Sequence, residues 1–344
     1  MAKPRSEVFN PKVVGVYHCY NQLVQQRYLF GRDAITGRDY SYRKEWVRDG
    51  FRELAGAMAV EILDFAVLDN HLHIVLRNRP DLVESWSDED VLQRWWRVCP
   101  SRRNEDGTVP DPKPCEIDHW RADVDKYRKQ LSDISWMMRL ASQRIATRAN
   151  QEDDVRGHFF AGRFKADRLE TELAVLNCSL YVDLNWIRAG MAETPETSVY
   201  TSAYDRIQAR WQATAGETTS SESEERPPDD WLAPIFLDER SKAFAPVQGN
   251  NAVPGSDNDH AGNAATGCNS VKSARLSNKG FLSMELDQYL TLLDQLGRVI
   301  RTDKRGSIPS EFPPILQRLG LNPQAWLDSF LDRCQRPSWR HPPP

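Results

Sequence analysis

Two histidines, His71 and His73, flank Leu72 in the stretch DNHLHIVL, whose other residues have the composition of a buried strand. Because alternate residues of a strand point to the same face, we expect both imidazoles on one face and Leu72 on the other. Two neutral imidazoles side by side suit one divalent metal ion, but equally a surface pair or a hydrogen-bonded pair. Metal chemistry requires a third ligand and a reacting group from elsewhere in the chain.

A helical pattern from residue 172 to residue 192 offers such groups. One stripe at helical spacing is apolar and is predicted to be buried: Leu173, Leu176, Leu180, Leu184 and Ile187. A second stripe beside it is polar: Asn177, Tyr181, Asn185 and Arg188. This pattern places a phenol near amides and a guanidinium. Alternatively, Tyr181 only marks the boundary of the core and Asn185 ends the helix.

The stretch GRFKADR, residues 162–168, is typical of a strand that follows a glycine-bracketed loop. Strand alternation predicts Arg163 and Lys165 on one face, suited to phosphates, with Phe164 inward. Basic side chains near exposed aromatic rings suit single-stranded DNA and hairpin ends. An ordinary solvated surface also contains many charged residues, so this alternative stays open.

Hydrophobic periodicity indicates the elements that would position these residues. In chain order it predicts a strand at 13–20, a helix at 40–60, strands at 60–68 and 71–76, and a long helix at 120–150. Asp69 and Asn70 suit a tight hairpin turn between the second and third strands. The histidines are therefore predicted on the second arm of a hairpin.

Composition divides the chain into three parts. We predict a folded domain at 1–212 with an insertion at about 79–129, a disordered linker at 213–278, and a small helical C-terminal region at 279–344. The linker is rich in Ser, Thr, Asn, Gly and acidic residues, and such segments bury too little apolar surface to offset their chain entropy.

Bulk properties exclude several classes of protein. The 344 residues carry a net charge of −4, which argues against a general nucleic-acid coat but not against a local basic groove. The six cysteines form no Cys-x-x-Cys pair, so neither a disulfide framework nor a zinc knuckle is predicted. No apolar run is long enough to span a bilayer and the start, MAKPRSE, lacks a signal-peptide core, so we expect a cytoplasmic protein without a membrane partner.

Three stretches in this order, NHLHIVL, GRFKADR and YVDLNWIRAG, resemble the single-tyrosine HUH transposases of simple bacterial insertion sequences, in particular the REP-associated tyrosine transposases. The resemblance covers roughly residues 13–205 and departs from the family pattern at Trp186, where proline is usual. It implies an α+β fold in which a ferredoxin-like antiparallel sheet, the HUH endonuclease fold, is flanked by helices. The histidine strand would be central and the tyrosine helix would pack beside it.

The resemblance also implies roles for individual residues. Tyr181 would be the nucleophile, and His71, His73 and Asn185 would bind Mg²⁺ or Mn²⁺. The residues expected to contact DNA are Arg163, Lys165, Arg168 and Arg188. The tyrosine would attack a phosphodiester of single-stranded or hairpin DNA, leaving a 5′-phosphotyrosine and a free 3′-OH, and the enzyme would act as a monomer or homodimer near the nucleoid.

Two other functions remain open on the sequence. One is a domesticated protein that binds hairpin DNA without transposition. The other is an unrelated metal-dependent hydrolase that uses His71 and His73, which is disfavoured because no Asp-His pair follows them.

Overall fold

A computed structural model describes residues 5–105, 107–216, 226–236 and 275–320 of the chain. The strands are β1 (Gly15–Gln22), β2 (Val60–Val67), β3 (His71–Asn78) and β4 (Lys165–Leu169). The helices are α1 (Arg5–Val8), α2 (Arg43–Ala57), α3 (Pro80–Glu84), α4 (Asp88–Val98), α5 (Pro114–Trp120), α6 (Val124–Leu131), α7 (Ile134–Glu152), α8 (Glu172–Asp183), α9 (Asn185–Arg188), α10 (Ser202–Gly216), α11 (Leu286–Arg298) and α12 (Ile315–Arg318).

Within these ranges the strands form one sheet in the order β2-β3-β1-β4, and every neighbouring pair is antiparallel. The predicted α+β class and the antiparallel sheet flanked by helices are therefore confirmed. The predicted hairpin is also present, because β2 and β3 pair directly and the Leu68 N–H donates to the His71 carbonyl at 2.9 Å. The strand that carries the histidines lies in the interior of the sheet, between β2 and β1.

One face of the sheet packs against α2 and α7. Leu72, Ile74 and Leu76 of β3 point to this face and are buried. The predicted insertion packs against the same core through α4 and α6, which place Trp95 and Tyr127 in stacked contact at 4.4 Å between ring centroids. The insertion is therefore part of the main hydrophobic core.

The other face of the sheet packs against α8, α10 and α11. Residues 275–320, which we call the tail, place Tyr289, Leu290 and Leu293 in this second core. The tail shares this core with the sheet and does not form a separate one.

The long helix predicted at 120–150 is two helices, and that prediction was wrong in this respect. The chain leaves the helical path after α6, and Asp133 caps the start of α7 by accepting a hydrogen bond from the Ser135 N–H at 2.7 Å. A side chain that satisfies an unpaired N–H in this way starts a new helix.

Part of the predicted disordered linker is also folded. Trp231 is buried against Phe65 with ring centroids 4.9 Å apart, and the Ala233 N–H donates to the Ile62 carbonyl at 2.8 Å. The prediction of disorder is therefore wrong for residues 226–236, and also for residues 213–216, which belong to α10, and residues 275–278, which belong to the tail. The rest of the predicted linker at 217–225 and 237–274, and the predicted helical pattern beyond residue 320, lie outside the described residues.

Among the described residues, no helix is both long enough and apolar enough to cross a membrane.

Candidate functional site

Strand pairing places the two histidines on the face that packs against α8. His73 lies opposite Tyr20 of β1, and Val75 lies opposite His18. Directly opposed residues share a face, so His18, Tyr20, His71 and His73 project from the same side of the two interior strands, which we call the histidine face. Leu72 is only 3% exposed and points to the other side, as predicted.

His73 is the centre of an aromatic cluster on this face. Its ring centroid lies 5.0 Å from that of His71, 5.1 Å from His18 and 5.8 Å from Tyr20. The ring of Tyr181 approaches from α8, with its centroid 5.4 Å from His73 and 6.1 Å from His18, edge-on to both. The structure thus brings Tyr181 and the histidine pair together, with Tyr181 nearest to His73.

The Nδ1 atom of each of these two histidines has a defined hydrogen-bond partner. The Nδ1–H of His71 donates to Oδ1 of Asn70 at 2.6 Å, and Nδ1 of His73 lies 2.9 Å from Nε2 of His18. Within the described part of the chain, neither ring makes a hydrogen bond through Nε2. For His71 the Asn70 oxygen must accept, so the proton is on Nδ1 and a lone pair is left on Nε2, the usual arrangement of a metal-binding histidine. The contact between His73 and His18 leaves a lone pair on Nε2 of His73 when His73 is the donor.

Burial keeps all three imidazoles neutral at physiological pH. Desolvation lowers the pKa of His71, and Lys304 lowers it further against the opposing effect of Asp69. Desolvation takes the pKa of His73 well below its usual value, assisted by His71 and His18. The pKa of His18 is also lowered by burial, with Asp167 opposing. A neutral imidazole is the form that binds a metal ion.

Buried hydrogen bonds on the far side of α8 hold Tyr181 in place. The Asp183 carboxylate accepts from Ser202 Oγ at 2.5 Å, from the Ala203 N–H at 2.9 Å and from the Tyr289 hydroxyl at 2.6 Å. Burial, together with the nearby Asp64, raises the pKa of Asp183 to about 6. With this side of the helix fixed to α10 and α11, Tyr181 faces outward and is 46% exposed.

These polar contacts explain an error in the predicted buried stripe of this helix. Leu173 is 65% exposed, whereas Val175, Ser179 and Asp183 are buried. The Ser179 hydroxyl donates to Asp64, so the buried side of α8 is partly polar and apolar periodicity did not identify it. Leu180, Leu184 and Ile187 of the predicted stripe are buried.

Asn185, the predicted third metal ligand, begins the short helix α9 one turn after Tyr181. It makes no hydrogen bond to either histidine of the pair, and its Nδ2 is buried without a partner among the described residues. The neighbouring Trp186 is buried and donates from Nε1 to the Val67 carbonyl at 2.8 Å. Trp186 therefore ties α9 to strand β2.

A metal ion at this site would depend on the two histidines. No cluster of three or more His, Cys, Asp and Glu side chains able to hold a metal ion occurs among residues 5–105, 107–216, 226–236 and 275–320. The chemistry of the donors nevertheless fits a divalent ion, because burial favours neutral rings at His71 and His73 and neither Nε2 atom has a hydrogen-bond partner among the described residues. An amide oxygen, a substrate phosphate or water would complete the coordination.

The structure separates the residues predicted to contact DNA. Lys165 lies on the histidine face, opposite Tyr20 and with its Nζ 5.8 Å from that ring. Arg168 pairs with Tyr17 and projects from the other face. Arg163 precedes β4 and lines a cleft of about 680 Å³ beside α7, so the prediction that it shares a strand face with Lys165 was wrong.

Arg188 makes its contacts with the tail. Its guanidinium donates to the carbonyls of Leu296 at 2.6 Å, Val299 at 2.7 Å and Gly306 at 3.3 Å. Through these three bonds Arg188 links α9 to the tail. Its role in DNA binding stays a prediction.

His18, Tyr20 and Asp167 are not among the site residues predicted above from the sequence. All three lie on the histidine face, since Asp167 pairs with His18 across β1 and β4. The spacing that singled out His71 and His73 also occurs in β1, where His18 and Tyr20 are two residues apart. Strand alternation would have placed them on one face, but only the pairing of β1 with β3 shows which face it is.

Comparisons with known proteins give one distant similarity. No protein-family model matches the chain, and no curated protein matches it. A solved structure described as a REP-associated tyrosine transposase bound to a REP hairpin matches with a TM-score of 0.35 and 12% sequence identity, covering 66% of this chain and 98% of that one.

Proposed function

We propose that this protein is a single-strand DNA endonuclease and strand transferase of the HUH type, with a ferredoxin-like sheet and Tyr181 as its nucleophile. The observation that carries the proposal is the half-exposed Tyr181, held edge-on to His73 above the two interior strands of the sheet. The three motifs quoted above support it, because their tyrosine and their histidines meet at this place in the fold.

In the proposed reaction the Tyr181 oxygen attacks a phosphodiester of single-stranded DNA. A tyrosine–phosphorus bond forms, the bond from phosphorus to the 3′ oxygen breaks, and the strand is left as a 5′-phosphotyrosine and a free 3′-OH. The proton of the Tyr181 hydroxyl passes to water, which reaches its exposed side chain, and the leaving 3′ oxygen takes up a proton. A second 3′-OH then attacks the phosphotyrosine and releases Tyr181, so rejoining requires no nucleotide cofactor.

Mg²⁺ or Mn²⁺ held by His71 and His73, with Asn185 as a further candidate ligand, would supply positive charge to the non-bridging oxygens of the scissile phosphate. The protein's own contribution is to fix the orientation of the two rings. Asn70 holds His71 and His18 holds His73, each through the Nδ1 atom of the ring.

Lys165 is a predicted DNA contact that lies on the histidine face. It is exposed on the edge strand β4, beside Tyr20 on the histidine face. A cation next to an aromatic ring suits a phosphate and the base attached to it. We therefore propose that the single strand crosses the histidine face at Tyr20 and Lys165.

The test is the formation of a covalent adduct. Labelled single-stranded hairpins, taken from the DNA that flanks the gene, are incubated with the protein and Mn²⁺ and resolved on a denaturing gel. We expect a shifted, protein-linked band that Tyr181→Phe abolishes. The matched control is Tyr42→Phe, which alters an exposed tyrosine bonded to Glu152 at the ends of α2 and α7 and should leave the band unchanged.

The result also separates this proposal from the alternative. Hairpin binding without any adduct, with Mn²⁺ present, would contradict the proposed enzyme and support a protein that binds hairpin DNA without cutting it.

A further inference from the structure

The tail contains a segment, residues 299–305, that connects α11 to the rest of the tail and lies against α9. We call it the tail loop. Arg188 binds the carbonyl at its start, Val299, and the carbonyl just after its end, Gly306. The Arg305 N–H donates to the Arg188 carbonyl at 3.2 Å. Both ends of the loop are therefore attached to the helix that begins one turn after Tyr181.

Two glycines make this attachment close. Gly190 follows the C-terminal end of α9 and has a φ of +72°, a conformation that suits glycine. Its N–H donates to the Ile187 carbonyl at 2.9 Å. Gly306 passes directly over this turn, since a Cβ added to it would lie 2.1 Å from the Ile187 oxygen. Only a residue without a side chain fits there, so the position of the loop relative to α9 is fixed by sterics as well as by hydrogen bonds.

The tail loop presents positive charge beside α9. Lys304 and Arg305 are exposed and make no ion pair within 4 Å among the described residues, whereas Arg301 pairs with Asp303 at 2.9 Å. The loop is held at both ends by α9, which begins one turn after Tyr181, so its exposed cations stand beside the tyrosine helix and attract an anion.

Apolar side chains are exposed on the same loop. Ile300 is 84% exposed and Val299 is 53% exposed, which is unusual for two adjacent β-branched residues in a folded segment. A nucleic-acid strand offers partners for both groups, because its phosphates are anionic and its unstacked bases have apolar faces.

We propose that the tail loop forms one wall of the DNA site and that Lys304 contacts a phosphate of the strand attacked by Tyr181. This inference rests on the proposed function and names a binding residue that the three motifs do not contain. It makes the C-terminal region part of the catalytic unit, because α9 and the tail loop are interlocked at Arg188 and Gly306.

The test compares Lys304→Ala, Lys304→Arg and the control Lys126→Ala in the full-length protein. Lys126 is an exposed lysine of the insertion, 60% exposed in its side chain and paired with Asp123 at 3.8 Å. Binding of a labelled single-stranded hairpin is measured by fluorescence anisotropy over a range of salt concentrations. Thermal unfolding of each variant is measured alongside and should not change, since the Lys304 side chain is exposed.

We expect Lys304→Ala to weaken binding about fivefold at 0.1 M salt and to reduce the slope of log K against log salt by about 0.7, as for the loss of one phosphate contact on a single strand. Lys304→Arg should restore both values, and Lys126→Ala should match the unmodified protein. If Lys304→Ala binds with the slope of the unmodified protein, the inference is overturned while the proposed function stands. If the unmodified protein binds no single-stranded DNA, both are overturned.

Discussion

At the scale of single residues, the site depends on how each imidazole is held. The ring of His73 lies beside four other rings and its Nδ1 is occupied by His18, while His71 has its Nδ1 occupied by Asn70. These contacts orient both rings before any ligand arrives, which lowers the cost of ordering them on binding. Both rings are thus held in place, and burial lowers the pKa of each.

Metal binding by this pair can be measured without reference to catalysis. We expect Mn²⁺ to bind the unmodified protein, as seen by the loss of the free-ion signal in electron paramagnetic resonance, and His73→Ala to weaken that binding by at least tenfold. The reason is that loss of a ligand removes a coordinate bond to the metal. The control is His158→Ala, which alters an exposed histidine outside the cluster and should leave the Mn²⁺ affinity unchanged. Equal Mn²⁺ affinity in both variants would contradict a metal site at His73.

At the scale of elements, the contact between α9 and the tail at Gly306 has no room for a side chain. We expect Gly306→Ala to reduce the free energy of unfolding by about 1–3 kcal/mol, because the new Cβ would overlap the Ile187 oxygen and force the backbone to shift. Denaturant titration measures the change.

The control for this substitution is Gly50→Ala in α2. A Cβ there meets nothing within 4 Å, and alanine is the better helix former, so the expected change is a gain of about 0.5–1 kcal/mol. A similar loss of stability in both variants would contradict the proposal that Gly306 is needed for the close packing of the tail on α9.

The elements near the site differ in how far the sequence could predict them. The hairpin that carries the histidines was predictable, because its alternation and its Asp69-Asn70 turn are local signals. The contact between His18 and His73 was not, because it depends on pairing between strands 55 residues apart in sequence. Lys304 is farther still from His71 along the chain, and no spacing rule connects them.

At the scale of the whole molecule, buried charges join the sheet to the helices and to the tail. Arg206 of α10 donates to Asp64 of β2 at 2.8 Å, and to the carbonyls of Leu63 and Ala233. The carboxylates of Asp64 and Asp183 influence its pKa, which they raise against the effect of burial. The same guanidinium therefore compensates two buried acids on different elements.

Removing this cation should destabilise the entire fold. We expect Arg206→Leu to cost about 3–5 kcal/mol in denaturant titration, because it leaves buried carboxylates without a counter-charge. Arg210→Leu, one turn later on α10, disrupts a partly exposed pair with Asp287 and should cost only about 0–1 kcal/mol. Similar costs for the two substitutions would contradict the central role given to Arg206.

A third buried acid, Asp205, should make stability depend on pH. Desolvation raises the pKa of Asp205 to about 7, against the opposing charge of Arg48, and its Oδ2 has no hydrogen-bond partner among the described residues. In the unfolded chain the same carboxyl titrates near 3.9. Between about pH 4 and pH 7 the folded state therefore holds a proton that the unfolded state has lost, and stability falls as the pH rises, by up to about 1.4 kcal/mol per unit.

Asp205→Asn removes this titration. The difference in unfolding free energy between the variant and the unmodified protein should grow in favour of the variant as the pH rises through that window, and should level off above about pH 7. A difference that does not change between pH 4 and pH 7 would show that Asp205 titrates normally in the folded protein.

The most direct test of the account is the identity of the residue that becomes linked to DNA. After reaction with a single-stranded hairpin and Mn²⁺, the protein is digested with nuclease and protease and its peptides are analysed by mass spectrometry. We predict a nucleotide joined through its 5′ phosphate to the peptide that contains Tyr181, and to no other tyrosine peptide. A nucleotide on a different residue, or cleaved DNA without any linked peptide, would contradict the proposal that Tyr181 is the nucleophile.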